Sequence, residues 1–279
     1  MKKQQTFKIN HDLMLILTAV VAVVVLIIIF NSTSLKNYFR GIGRAAVINI
    51  NDEVAVLNEI AGDDILLDLA ENGLAYMNLN PYDFEATQLR YYDFVSDLST
   101  IIAVGNVMDF NSVKTNDKYV IYSTANTLYW HNANNIPPTD YAIPKGLTDK
   151  DWEGDIASNN KVIFFRQSGG TTNLWQYQID TGTLAQLTFV NSSKQNINYY
   201  YDADTGDEKI VWTDDRNGDL DIYLYDFAQP NPNGDQITMD LADQYSPRIY
   251  QNRIVWTDAR TGSTNLDIYM YDIAKTEDG

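Results

Sequence analysis

The chain has 279 residues, with 20 lysines and arginines against 37 aspartates and glutamates, a formal charge of −17. The first 44 residues hold six of the basic groups and one acid, so the remainder carries 14 basic and 36 acidic residues, a charge of −22. A surface of that sign repels phosphate backbones and excludes nucleic acid as a partner, and the absence of cysteine excludes disulfides, thiolate nucleophiles and zinc ribbons.

Residues 1–12 read as a short cytoplasmic segment. Leu13 to Phe30 is an uncharged run of 18 residues in which Thr18 is the one non-apolar member. As a helix it extends roughly 27 Å, close to the hydrocarbon thickness of a bilayer. It is longer than the apolar core of a secretory signal, so 13–30 is expected to be a retained membrane anchor. A signal cleaved at Ser32-Thr33-Ser34 is the alternative. Lys2, Lys3 and Lys8 precede the run and Lys36, Arg40 and Arg44 follow it, a near tie in flanking charge. The domain at 45–279 is expected outside the cytoplasm. Residues 31–44 form a stalk.

Ala45–Ile50 is a lone strand. Ile65–Leu69 turns at Asn72-Gly73 into Leu74–Met77, with an outer strand at Gln88–Tyr91. Ser99–Ala103 and Val107–Phe110 are further strands without an assigned place. Tyr119–Tyr122 leads through Thr124–Asn126 into Leu128–Trp130. Val162–Phe165 leads through Gly169-Gly170 into Leu174–Tyr177, then an outer strand at Leu184–Thr188. The clearest copies come last. Lys209-Ile-Val-Trp-Thr-Asp-Asp-Arg-Asn-Gly218 returns as Arg253-Ile-Val-Trp-Thr-Asp-Ala-Arg-Thr-Gly262, and Leu220-Asp-Ile-Tyr-Leu-Tyr-Asp226 as Leu266-Asp-Ile-Tyr-Met-Tyr-Asp272. Gln236–Met239 reads as the outer strand between them.

Each copy is a β-hairpin, two runs rich in β-branched and aromatic residues around a turn of Asp, Asn and Gly. Neither run alternates, so both faces of each sheet need cover. Trp212 and Trp256 lie 44 residues apart, and Tyr122 and Phe164 continue the period upstream at 42 and 48 residues. Self-similarity at this period, with four strands per unit, is the pattern of an all-β fold, the β-propeller. Five blades are favoured and six is the alternative. Closure is expected from Ala45–Ile50 pairing with Asp267–Tyr271, which would remove an exposed edge.

The string Ile-Val-Trp-Thr-Asp-x-Arg-x-Gly followed by Leu-Asp-Ile-Tyr-x-Tyr-Asp resembles TolB-like propeller repeats of prokaryotic cell-surface and periplasmic proteins. The match is strong over about 155–275 and faint over 45–150. The resemblance implies the fold and, through it, an adaptor or ligand-binding module. Together with the acidic charge, this resemblance to exported proteins carries the expectation that 45–279 lies outside the cytoplasm.

Candidate site residues lie at the hairpin tips, where Asp214, Asp215, Arg216 and Asp219 of one blade and Asp258 and Arg260 of the next would share a rim. They read either as a polar binding face or as Asp–Arg pairs that brace each tip. Asp202-Ala-Asp204-Thr-Gly206 spaces carboxylates like the start of a calcium loop, but Gly stands at the third ligand position and no closing Glu follows. A plain turn is the better reading, with Ca2+ the weak alternative and no other cofactor implied. His11 and His131 read as surface or packing residues. No Gly-x-Ser-x-Gly, His-Glu-x-x-His or phosphate-cradling loop occurs. The chain therefore reads as a single-pass cell-membrane protein whose extracytoplasmic propeller binds an envelope protein partner. A glycan- or small-ligand-binding propeller is the alternative, and a lyase or glycosidase is less favoured.

Overall fold

The computed structural model describes residues 63–79, 87–105, 110–133 and 139–275. The expected anchor, stalk and closing strand Ala45–Ile50 lie outside the described residues. Five antiparallel sheets follow one another along the chain. The first contains β1 (Asp63–Leu69), β2 (Gly73–Leu79), β3 (Thr87–Asp93) and β4 (Leu98–Gly105); the second β5 (Asn111–Thr115), β6 (Tyr119–Thr124), β7 (Thr127–Asn132) and β8 (Asp140–Ala142). The third contains β9 (Lys150–Ile156), β10 (Lys161–Ser168), β11 (Thr171–Gln178) and β12 (Thr183–Gln186). The fourth contains β13 (Lys194–Tyr201), β14 (Glu208–Asp214), β15 (Asp221–Asp226) and β16 (Asp235–Gln236). The fifth has three described strands, β17 (Gln244–Tyr250), β18 (Arg253–Asp258) and β19 (Asp267–Asp272). This succession of four-stranded blades is the propeller architecture.

The unbroken apolar runs are explained by the layers on either side of each sheet. Along β10, Val162 and Phe164 face the second sheet, where they meet Ile121, Leu128 and Ile143. The intervening Ile163 and Phe165 face the fourth sheet and meet Ile210, Trp212 and Tyr223. Val211 turns the other way, toward Ile249, Ile254 and Trp256 of the fifth sheet. Trp212 and Trp256 occupy equivalent places on the second strands of their sheets, opposite Tyr223 and Tyr269. Alternation of side chains thus puts apolar residues on both faces, since both are covered.

Three expectations are corrected. The hairpin at 65–77 is strands one and two of the first sheet, because β1 adjoins β5 as β5 adjoins β9, β9 adjoins β13 and β13 adjoins β17. Gln88–Tyr91 is then the third strand and Ser99–Ala103 belongs to the outer one, so 99–103 completes this blade rather than starting another. The outer strand of the fourth sheet stops at Gln236, leaving Met239 in a loop. Loop Asn231–Gly234 curls back there, and Arg216 donates to the Asn233 carbonyl.

Each of β5, β9, β13 and β17 contains a bulge. Ser112, Glu153, Asn196 and Ser246 sit in these bulges with φ of 51°, 48°, 58° and 56°, a left-handed conformation unfavourable for residues with a Cβ. Polar side chains of the first strands cross to the next sheet. Thr115 N donates to Asp68 Oδ2 (2.8 Å) and Gly154 N to Ser112 Oγ (2.9 Å). Ile197 N donates to Glu153 Oε1 (2.8 Å) and Tyr199 N to Asp155 Oδ2 (2.9 Å). Ile249 N donates to Asn198 Oδ1 (2.8 Å). Burial pushes the Glu153 and Asp155 carboxyls up, against the pull of those amide bonds.

Gly234 tests the outer packing of the fourth blade. It has φ of +73°, and a Cβ there would stand 2.5 Å from Trp212 Cη2. Gly206 has φ of +74° with nothing within 4 Å. Gly206→Ala should cost about 1 kcal/mol in urea unfolding, and Gly234→Ala about 3 kcal/mol or more because it also overpacks the tryptophan. Equal losses would place Trp212 elsewhere.

Candidate functional site

The expected tip residues are built into a repeated brace. At the end of β14, Trp212 Nε1 donates to Asp214 Oδ2 (3.0 Å) and Arg216 Nη2 donates to the same oxygen. The Arg216 guanidinium lies 3.9 Å from the centroid of Tyr223, which stacks on Trp212. The next sheet repeats every element. Trp256 Nε1 donates to Asp258 Oδ2 (3.0 Å), Arg260 Nε and Nη2 reach the two carboxylate oxygens (2.8 and 2.6 Å), and Arg260 sits 4.0 Å over Tyr269. The third sheet achieves the same pairing from other positions, with Arg166 forked onto Asp151 (2.6 and 2.8 Å) between Phe164 and Trp175.

Asp214 and Asp258 are fully buried. Burial pushes both carboxyls up, but the bonds from Arg and Trp outweigh it and hold them below the usual carboxylate range. Asp214 also has Lys194 at 3.6 Å. Lys194 donates to the Thr172 and Val190 carbonyls (2.9 and 2.7 Å) and to Ser192 Oγ (2.6 Å), and burial brings its pKa down to about 8. Of the six expected site residues, Asp214, Arg216, Asp258 and Arg260 are therefore engaged within their own blades. Asp215 accepts from Ser193 N (2.8 Å) and is exposed, and Asp219 stands beside it at the tip, half-buried. Asp202 Oδ1 accepts from Asp204 N (2.9 Å) and Thr205 N (3.1 Å), the geometry of the expected turn between β13 and β14.

A second feature of this end of the sheets is not in the repeat. The fourth strands run toward the hairpin tips, so each connection to the next sheet emerges there. Every such connection within 139–275 carries large apolar side chains in solvent. They are Leu147 (107% exposed) after β8, Phe189 (64%) after β12, and Met239 (79%) and Leu241 (94%) after β16. The loops are held in place. Gly146 N donates to Asp149 Oδ2 (2.9 Å), Phe189 N to the Pro232 carbonyl (3.0 Å), and Leu220 N to Asp243 Oδ1 (3.1 Å). Around them Asp149, Asp215, Asp219, Asp240, Asp243 and Asp267 are at least partly exposed, against Lys145 and Lys150. Arg216 and Arg260 are already paired.

No protein-family model matches the chain, and no curated protein resembles it in sequence. Its likenesses are to solved structures. It is similar to TolB from Acinetobacter baumannii (TM-score 0.51, 19% identity, covering 72% of this chain and 50% of that one). An oligogalacturonate lyase in complex with manganese gives 0.56 at 11% identity, covering 76% of this chain and 66% of that one. The β-propeller domain of the trilobed protease from Pyrococcus furiosus, described as having an open velcro topology, gives 0.50 at 11%, covering 72% and 65%. The chain spans about half the length of the TolB structure. Likeness at these identities carries the fold alone, a TolB-like β-propeller.

The depressed pKa of Asp214 has a definite sign. A carboxyl whose folded pKa lies below its unfolded value adds stability above the unfolded value, about 4, and loses it as pH falls through the folded one. Asp214→Asn should cost about 3 kcal/mol in urea unfolding at pH 7, since Arg216 and Lys194 lose their counter-charge. The gap to the unsubstituted chain should narrow below about pH 4. Asp215→Asn should stay within about 0.5 kcal/mol. A large loss for Asp215→Asn with none for Asp214→Asn would contradict the brace.

Proposed function

We propose that this chain is a membrane-anchored, extracytoplasmic propeller that acts as a protein-interaction module of the cell envelope, and that its docking face is the tip end of the sheets. The observation that carries this reading is the row of solvent-facing Leu147, Phe189, Met239 and Leu241 in successive connections. Isolated exposed apolar residues are ordinary, but large ones repeated at equivalent places on one end are characteristic of binding surfaces. Their loops are fixed by hydrogen bonds, so little ordering entropy opposes docking. The acidic surroundings favour a partner that offers apolar anchors within a basic surface. The apolar run at 13–30 supports the anchor, and the −22 charge beyond residue 44 supports placing the propeller on the far side of the membrane.

The test is site-specific photo-crosslinking in cells, with the probe at Leu147 or Leu241 and a control at Thr181 on the opposite end. Both tip positions should capture the same protein, and Thr181 should not. The captured protein, once purified, should bind the chain and lose at least tenfold in affinity to a Leu147→Ser, Leu241→Ser variant. That variant should melt as the unsubstituted chain does, because neither side chain is buried. Equal capture from both ends, or unchanged affinity of the double variant, would overturn the assignment. Protease added to intact spheroplasts should digest the propeller; full protection would reverse the topology.

A further inference from the structure

We propose that the cleft between the first and second sheets is a binding site for a small organic cation, specifically a quaternary or alkylated ammonium group. Three of the four boundaries between sheets are filled by large side chains such as Trp175, Trp212 and Trp256. At the first boundary, the end of β4 offers only Ala103, Val104 and Gly105, and a cavity of about 310 Å³ remains. Phe110, Tyr122 and Tyr129 line it, with Tyr122 stacked on Tyr129 (5.5 Å between centroids) and set edge-on to Phe110 (5.8 Å). Asp140 supplies the charge in the lining.

The carboxylate is positioned from behind. His131, fully buried, has Nδ1 at 3.2 Å from Asp140 Oδ1. A carboxylate accepts, so Nδ1 is the donor of this bond. The other ring nitrogen, Nε2, is buried with no partner, so Asp140 alone orients the imidazole. The Asp140 side chain is 32% exposed, and among the described residues no lysine or arginine pairs with it.

A carboxylate beside aromatic rings in an open cleft recognises an ammonium by charge and by the ring quadrupoles together. Its volume suits a small group rather than an oligosaccharide. A sugar would need several free acceptors and donors, whereas beyond the Tyr122 and Tyr129 hydroxyls the polar side chains in the lining are Thr124 and Asp140, and Asp140 is already engaged by His131. The −22 charge beyond residue 44 raises the local concentration of any cation. The ligand chemistry has two sources, a free amine such as choline or a methylated lysine of another protein.

The full-length chain should be titrated by calorimetry with choline, with its uncharged isostere 3,3-dimethylbutan-1-ol, and with a short peptide carrying trimethyllysine. Choline should bind saturably at one site, and the isostere at least about tenfold more weakly. Asp140→Asn should weaken choline at least about tenfold. Val104→Trp, at a position already in solvent, should abolish binding by filling the cleft while leaving the melting temperature unchanged. Tighter binding of the peptide than of choline would assign a protein side chain as the source, and weaker binding a free amine. Equal affinity for the isostere, undiminished choline binding by Val104→Trp, or no saturable binding of any probe would overturn the proposal.

Discussion

The hydrogen-bonded ladders stop at every boundary between sheets, so the blades are joined by apolar layers and by side chains that reach across to a neighbour's backbone. The apolar layers are large but non-directional, and alone would let one sheet slide against the next. The carboxylates and amides of Asp68, Glu153, Asp155 and Asn198 supply the missing direction, each accepting from a defined amide of the following blade. The bulges accompany them. In β5, β9 and β13 the bulge re-aims a first strand so that a polar side chain meets the neighbour, at the expense of a left-handed residue. Burial raises the Glu153 and Asp155 carboxyls, a cost that the amide bonds offset only in part.

The tip brace solves a different problem at the end of the second and third strands. A buried aspartate is costly alone, yet Asp214 and Asp258 are surrounded by an indole N–H and a guanidinium that lies on a tyrosine. The brace fixes the hairpin tip, and the tip in turn fixes the neighbouring connection, as Leu220 N does for Asp243. Apolar side chains in those connections are thus presented on a rigid base. Charge at the tips serves the scaffold, and apolar residues between the tips supply the surface for a partner.

How much of this was legible in the sequence varied with the physics behind each feature. The hairpins of the last three sheets were readable because Val162–Phe165, Ile210–Trp212 and Ile254–Trp256 sit between two apolar layers and share a residue type at each place. The first strands were not, because Ser112, Glu153 and Asn196 do one job with different side chains, and a bulge leaves no period. In the first sheet the connection between the second and third strands is long, so the pair at 65–77 imitated the central hairpin and shifted the frame by one strand. The brace was readable as Asp–Arg pairs, though not its tryptophan and tyrosine partners. Leu147, Phe189, Met239 and Leu241 lie in loops, where an apolar residue has no periodicity to mark it. His131 read correctly as a packing residue, but Asp140 nine residues on gave no sign of being its partner.

The claim that side chains register one blade on the next is tested most directly by hydrogen exchange of the acceptor-held amides. Thr115, Ile197, Tyr199 and Ile249 should exchange as slowly as amides inside the ladders, and Asp155→Ala should release Tyr199 selectively while Ile249 stays protected. Exchange of these four amides at the rate of unpaired strand edges, or uniform loss of protection in Asp155→Ala, would contradict the account.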